Sequence, residues 1–485
     1  MFRTAAISIL VVSLFPRVLP ADPPDTVWTR TFGGTANDMV VSAYETPDGG
    51  IVIGGSTSSI IPGDYQFWLI KTDLNGDTLW ARDYGDEDMS ESASWMCPTD
   101  DGGFILAGAK EVSILDTDAY ILKTDSAGIY EWATLIGADD IDETCSWIEQ
   151  TSDGGYVVCG YFWAPNTGFD FYIARLNMYG IVQWTQVYDW FNGDYARCVE
   201  ETNDGGFIVT GYTSSTPDYF QKIFILKTAA NGDSIWARRY GGADDDKGYH
   251  ITQTSDNGYI VTGNTMSFGA GGRDFWILKT DENGDTLWTA TYGDTYHDAG
   301  TYAMELADGG YVVTGSGRGI NNFDLLLLKY DQYGSYQWTG IYGGSGSDNA
   351  YCIQQTVDGG FLLAGSTNSF GAGEIDGYVV RLYPEPMISV EEPVNRLPRS
   401  IKLSQNYPNP FNASTMISFE LSESGNVILA VYDLLGREME TLADGYLDIG
   451  GYSIDFDASD LTSGVYFYRL QIGGVVETKR MVLLK

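Results

Sequence analysis

The chain has 485 residues, 44% of them hydrophobic, with 66 Asp plus Glu against 27 Lys plus Arg and a formal charge of −39. That supplies enough apolar material for a large core, and it argues against nucleic-acid or anionic-membrane partners, which need clustered cations. Two histidines leave little for His-based metal or acid–base chemistry.

Residues 1–21 read as a secretory signal peptide: Arg3, an apolar run from Thr4 to Phe15, then Pro16, Pro20 and Ala21. The run is too short to span a bilayer, and no later stretch is long and apolar enough for a membrane helix. The mature chain is therefore expected to be exported, not membrane-spanning and monomeric. Five cysteines (Cys97, Cys145, Cys159, Cys198 and Cys352) form no CxxC pair, and most lie in apolar runs. They read as buried free thiols.

A repeat fills residues 22–383. Trp recurs at 28, 80, 132, 184, 236, 288 and 338, with spacings of 52 and finally 50. A turn signal, DGG or DNG, begins at Asp48, Asp101, Asp153, Asp204, Asp256, Asp308 and Asp358. Each unit reads as four short strands rich in β-branched and aromatic residues, with Asp-Gly and Asn-Gly supplying the hairpin turns. Seven such units predict a seven-bladed β-propeller. The array opens on a lone strand, Thr26 to Phe32, and its last unit lacks a fourth strand. Pairing of the first strand with the region Tyr378 to Leu382 would close the ring.

The motif D-x-N-G-D-T-L-W-x-x-x-Y-G-G followed by T-x-D-G-G-Y-I-V-x-G-x-T resembles the bacterial seven-bladed β-propeller repeat family. Its strand–turn–Trp unit also looks like the docking unit of quinoprotein propellers, a likeness confined to the hairpin that implies no quinone. The resemblance implies a fold and export to the surface, and no single activity.

Residues 384–400 are rich in Pro and charge and read as a linker. Residues 401–485 hold about seven strand-like runs and read as a small immunoglobulin-like β-sandwich. Within them Asn406, Tyr407, Pro408, Asn409, Pro410, Phe411 and Asn412 form NYPNPFN; Gly464 and Tyr466 belong to SGVYFYRL; Lys479 to Lys485 is KRMVLLK. These three stretches resemble the type A C-terminal sorting domain of the type IX secretion system. The resemblance implies a Bacteroidetes-like route through the periplasm, with the secretion machinery as partner and the cell surface or medium as destination.

Most of the negative charge belongs to the propeller, with 52 acidic and 17 basic residues. Ten residues before each turn signal stands an acid: Asp38, Glu91, Glu143, Asp194, Asp246, Asp298 and Asp348. This position opens the innermost strand and is expected to ring the channel. A second acid precedes the third strand at Asp118, Asp170, Asp274, Asp324 and Asp376, with Gln66 and Lys222 in blades 1 and 4. Two readings stand: capping of backbone N–H groups, or ligand contact, with Ca²⁺ as the cation that oxygen ligands suit. No cofactor is required. The loops between strands 2 and 3 vary and share that face, and Trp163 in one of them is a candidate stacking platform for a sugar. Periodic cations at Lys71, Lys123, Arg175, Lys227, Lys279, Lys329 and Arg381 are expected to pair with carboxylates. No GxSxG, HExxH or Ser–His pattern is present. The leading expectation is a non-catalytic binding or scaffold protein for an extracellular glycan or protein. The alternative is a polysaccharide hydrolase or lyase using carboxylates on the loop-bearing face.

Overall fold

Alternating strands and Asp-Gly turns fold each repeat into an antiparallel sheet. In a computed structural model the first repeat forms Asp38–Glu45, Ile51–Thr57, Gln66–Thr72 and Thr78–Tyr84, hydrogen-bonded in that order. The structure describes residues 23–384 and 402–483, with breaks at 62, 87–88, 114–115, 139–140, 165–167, 191–192, 215–219, 319–321, 404–405, 407–408, 410, 422–424, 434–436, 448–449, 460 and 473–474. The signal-peptide reading of 1–21, most of the linker, and Tyr407, Pro408, Pro410 and Lys485 lie outside the described residues.

Seven four-stranded sheets precede the C-terminal unit. The first strand of each sheet packs against the first strands of its two neighbours, and Asp38–Glu45 meets Asp348–Gln355, so the inner strands close a ring. The seventh sheet takes Thr26–Phe32 as its outer strand, antiparallel from Thr26↔Leu382 to Phe32↔Gly377 with a register shift between Thr26 and Trp28. The ring thus closes with one strand from the far end of the array. Two of the connections expected as loops are longer hairpins: in blade 3 the ladder continues to Ala164↔Gly168, and in blade 2 to Ser113↔Asp116.

The repeated Trp works between blades. A Cβ on Gly128 would stand 2.7 Å from Cη2 of Trp80, and Gly180, Gly232 and Gly284 meet Trp132, Trp184 and Trp236 in the same way. Those glycines have φ between +73° and +83°, so the turn before the outer strand needs its glycine twice, for the backbone and for the ring of the preceding blade. Trp28 spans the closure, its indole N–H donating to the Leu74 carbonyl at 3.0 Å.

The cysteines form no disulfide; four are buried in strands, and burial pushes the Cys145 thiol up to about 12.

The second compact unit, Ile388–Lys485, places Lys402–Leu403, Ser414–Leu421 and Gly450–Asp457 in one sheet. Glu438–Leu447, Gly425–Tyr432, Gly464–Ile472 and Val475–Leu483 form the other. One apolar core includes Phe411, Phe419, Leu429, Tyr468 and Leu483.

Candidate functional site

The seven repeated acids are all buried. Each accepts a backbone N–H from the residue four or five positions before it, at 2.7 to 3.3 Å. Asp38, Asp246 and Asp348 also accept from Ser59, Ser267 and Ser369 at 2.6 to 2.7 Å, and from Thr57, Thr265 and Thr367. The structure groups these acids seam by seam: each stands beside the second acid of the preceding blade. Gly33 lies between Asp38 and Asp376, Gly293 between Asp298 and Asp274, Gly343 between Asp348 and Asp324. Where that second acid is missing, a lysine enters. Lys222 Nζ is 3.4 Å from Asp246, and Lys110 Nζ is 2.8 Å from Glu91, next to Gln66.

Burial, and then the neighbouring Asp118, pushes Glu143 up to about 7. Burial likewise raises Asp274 and Asp298. Between blades 3 and 4, Asp189 replaces the seam glycine. Asp170, Asp189 and Asp194 then bring carboxylate oxygens within 4.8 Å of one another, the group among the described residues that could hold a metal ion.

The periodic cations belong to the turn signals. Lys71, Lys123, Arg175, Lys227, Lys279, Lys329 and Arg381 each pair with the first Asp of the turn in their own blade. The Asp-x-Asn-Gly turns are closed by their own first Asp: Asp73 Oδ1 accepts from Asn75 and Asp77 N–H at 2.8 and 2.9 Å.

A different set of residues faces the channel. Every innermost strand slips register at one point, three residues after the repeated acid. The bulged residues are Val41, Ser94, Ser146, Arg197, Tyr249, Thr301 and Tyr351. A bulge leaves one residue out of the ladder and re-aims its side chain. All seven line one cavity of about 490 Å³, with Met39, Trp95 and Trp147. A second cavity of about 450 Å³ shares Tyr249 and includes Asn264, Arg273, His297, Asp298 and Asn349.

Trp95 and Trp147 line the first cavity, and Tyr302 and His250 pack on them from outside its lining. Trp95 stacks on Trp147 with centroids 3.8 Å apart, and His250 stacks on Tyr302 at 3.7 Å. Burial pushes His250 down to about 3, so it is neutral. Further along the same strands, Glu149 and Glu200 are both raised by burial, Glu149 also by its acidic neighbour.

Sequence reasoning missed the bulge ring and this glutamate pair. It sought residues that recur, and these positions differ from blade to blade. Trp163 is exposed on the extended hairpin of blade 3 and is not among the residues lining either cavity.

In the C-terminal unit Asn406 is buried; its N–H donates to Tyr468 Oη at 2.8 Å and its Nδ2 to Thr415 at 3.0 Å. Asn409 Oδ1 accepts the Val482 N–H at 2.8 Å, and the Phe411 N–H donates to the Val482 carbonyl at 2.9 Å. Ser414 N–H bonds the Asn412 carbonyl, Tyr466 Oη donates to Thr462, and Lys479 pairs with Tyr468 across the ladder beginning at Gly464. Asn409 and Phe411 are therefore tied to the terminal strand.

Residues 405–484 match the family described as the secretion system C-terminal sorting domain. The chain thus carries a type IX sorting domain and is exported to the cell surface or medium. No curated protein matches the chain. Among solved structures, Sqt1 from Chaetomium thermophilum is 11% identical, covering 71% of this chain and 82% of its own, with TM-score 0.41. An ancestral GH74 enzyme is 8% identical over 96% of this chain and 63% of its own, with TM-score 0.35. Beta-1,2-mannobiose phosphorylase from Listeria innocua is 9% identical over 74% and 92%, with TM-score 0.27.

Proposed function

We propose that this is an exported, non-catalytic binding protein whose propeller holds a ligand at the channel cavity and whose C-terminal unit addresses it to the type IX machinery. The observation that carries the reading is the ring of seven bulged residues, one from each blade, around one cavity. Bulges aim side chains out of the ladder next to functional sites, and a concave pocket with aromatic walls and a few polar groups suits ligand capture. Among its described lining residues there is no carboxylate, thiol or histidine. The seven repeated acids are assigned to holding the inter-blade loops, since each is committed to backbone N–H groups. Ca²⁺, if bound, would sit at Asp170, Asp189 and Asp194.

One observation favours the alternative, a polysaccharide hydrolase: Glu143 keeps its proton to about 7 beside Asp118, the property a general acid needs. A glycan panel read for both binding and product release separates the two. Binding without turnover is expected. Turnover lost in Glu143→Gln would overturn the binding reading.

A further inference from the structure

The propeller is strongly acidic, yet three of its cations converge where the two cavities meet. Most of its 17 basic residues are accounted for. Seven pair with the turn aspartates, Lys110 and Lys222 fill seams, and Arg30 and Arg238 reach the next blade's Asp77 and Asp285. Arg197, Lys247 and Arg273, from blades 4 and 5, make no ion pair among the described residues.

Arg197 is the bulged residue of blade 4 and lines the first cavity. Its guanidinium lies over the rings of Tyr161 and Tyr212, 5.4 Å from each centroid, and donates to Tyr212 Oη at 2.8 Å. Lys247 Nζ is 4.7 Å from the same Tyr212 ring. Arg273 lines the second cavity, and Asn264 beside it donates to Tyr249 Oη, which borders both. The Nε of Arg197 and that of Arg273 are buried with no acceptor. Burial, then Arg273, holds the Lys247 ammonium below its usual range, with Arg197 adding to it, so the three crowd one another. Asp245 partly offsets this field on Lys247, and neither it nor Asp298 forms an ion pair with the three: Asp245 accepts from the Gln221 N–H, and Asp298 from the N–H groups of Asp294 and Arg318.

Three cations with no ion-pair partner among the described residues, two of them with a buried N–H donor left open, are costly for the folded chain alone. An anion answers all three, and a guanidinium fork matches a carboxylate best. We infer that the channel mouth binds a carboxylate-bearing saccharide, its acid group between Arg197, Lys247 and Arg273 and its ring against the aromatic wall. A sugar fits better than an acidic peptide because the cations are set among ring faces and amides in pits of about 490 and 450 Å³, room for about two or three sugar rings. This rests on the binding reading above and names its ligand class.

The test is calorimetric titration of the full mature chain with trigalacturonate, its methyl ester and oligoglutamate. Trigalacturonate should bind at least about tenfold more tightly than the ester, with affinity falling as salt rises. Arg197→Gln should weaken it about tenfold. Because Arg197 is wedged between rings, Arg273→Gln at the second cavity is the independent variant and should do the same at an unchanged melting temperature. Arg82→Gln, on an outer strand, should bind as the parent does. Equal binding of acid and ester overturns the anionic inference and leaves the binding reading standing. Preference for oligoglutamate overturns the saccharide. No binding of these or of a neutral glycan panel overturns both.

Discussion

Removal of residues 23–32 tests whether the ring depends on its first strand. The deletion takes away the ladder from Thr26↔Leu382 to Phe32↔Gly377 and the buried Phe32 side chain. It also removes three contacts that cross the closure: Trp28 indole to Leu74 O, Tyr342 Oη to Pro24 O, and Tyr383 N–H to Asp25 O. Loss of a buried Phe costs about 3–5 kcal/mol, and the three hydrogen bonds about 1 kcal/mol each. Their sum, roughly 6–8 kcal/mol, is comparable with the 5–15 kcal/mol that holds a typical domain together. Trp28 is only half-buried, so Phe32 rather than the indole dominates. Differential scanning calorimetry should show the melting temperature falling by about 8–10 °C, since roughly 360 residues melt together. Light scattering should show association, since Asp376–Leu382 becomes an open edge. A truncated protein that melts with the parent and stays monomeric would refute the closure argument.

Asp256→Ala should cost about 1–3 kcal/mol in urea unfolding, because Lys279 is buried and both oxygens of the half-exposed Asp256 hold its ammonium. Glu143, Glu149 and Glu200 bind protons more tightly folded than unfolded. Their contribution is therefore present below the ordinary glutamate range, near 4.3, and is lost as pH rises, toward about 7 for Glu143 and Glu200. Glu143→Gln should flatten that slope in denaturant midpoints measured across the window. Asp48 runs the other way: Lys71 holds it at about 2, so its contribution is lost as pH falls below about 4. Deleting residues 401–485 should leave a folded propeller in the periplasm; cell fractionation that finds it at the surface would remove the sorting role.

The scaffold was legible because the same physical need arises seven times. Trp80 requires Gly128 and Trp132 requires Gly180, so both members of each contact recur at a fixed spacing. The acid at Asp38 and the loop N–H it accepts follow the same logic. The binding face obeys no such rule. Arg197 and Tyr249 occupy equivalent positions in neighbouring blades and share no chemistry, so no period marks them. A bulge has no residue signature of its own here: Val, Ser, Arg, Tyr and Thr all serve. The hairpin extensions at Trp163 and Ser113 escaped for a related reason, since a strand that outgrows its repeat looks like a loop in the alignment of units.

The bulged position has no partner across the ladder, which frees its identity from the rules of strand pairing. A change from Arg to Ser there alters the wall of the cavity while register, turns and Trp–Gly contacts persist. Stability and specificity therefore reside in separate letters of the same strand. Where the bulged side chain carries no packing of its own, as at Ser94 and Ser146, the letter can be rewritten with the frame kept, whereas Val41 belongs to the apolar core and Arg197 lies between two rings; single substitutions at the first kind of position lead to propellers with one frame and different ligands.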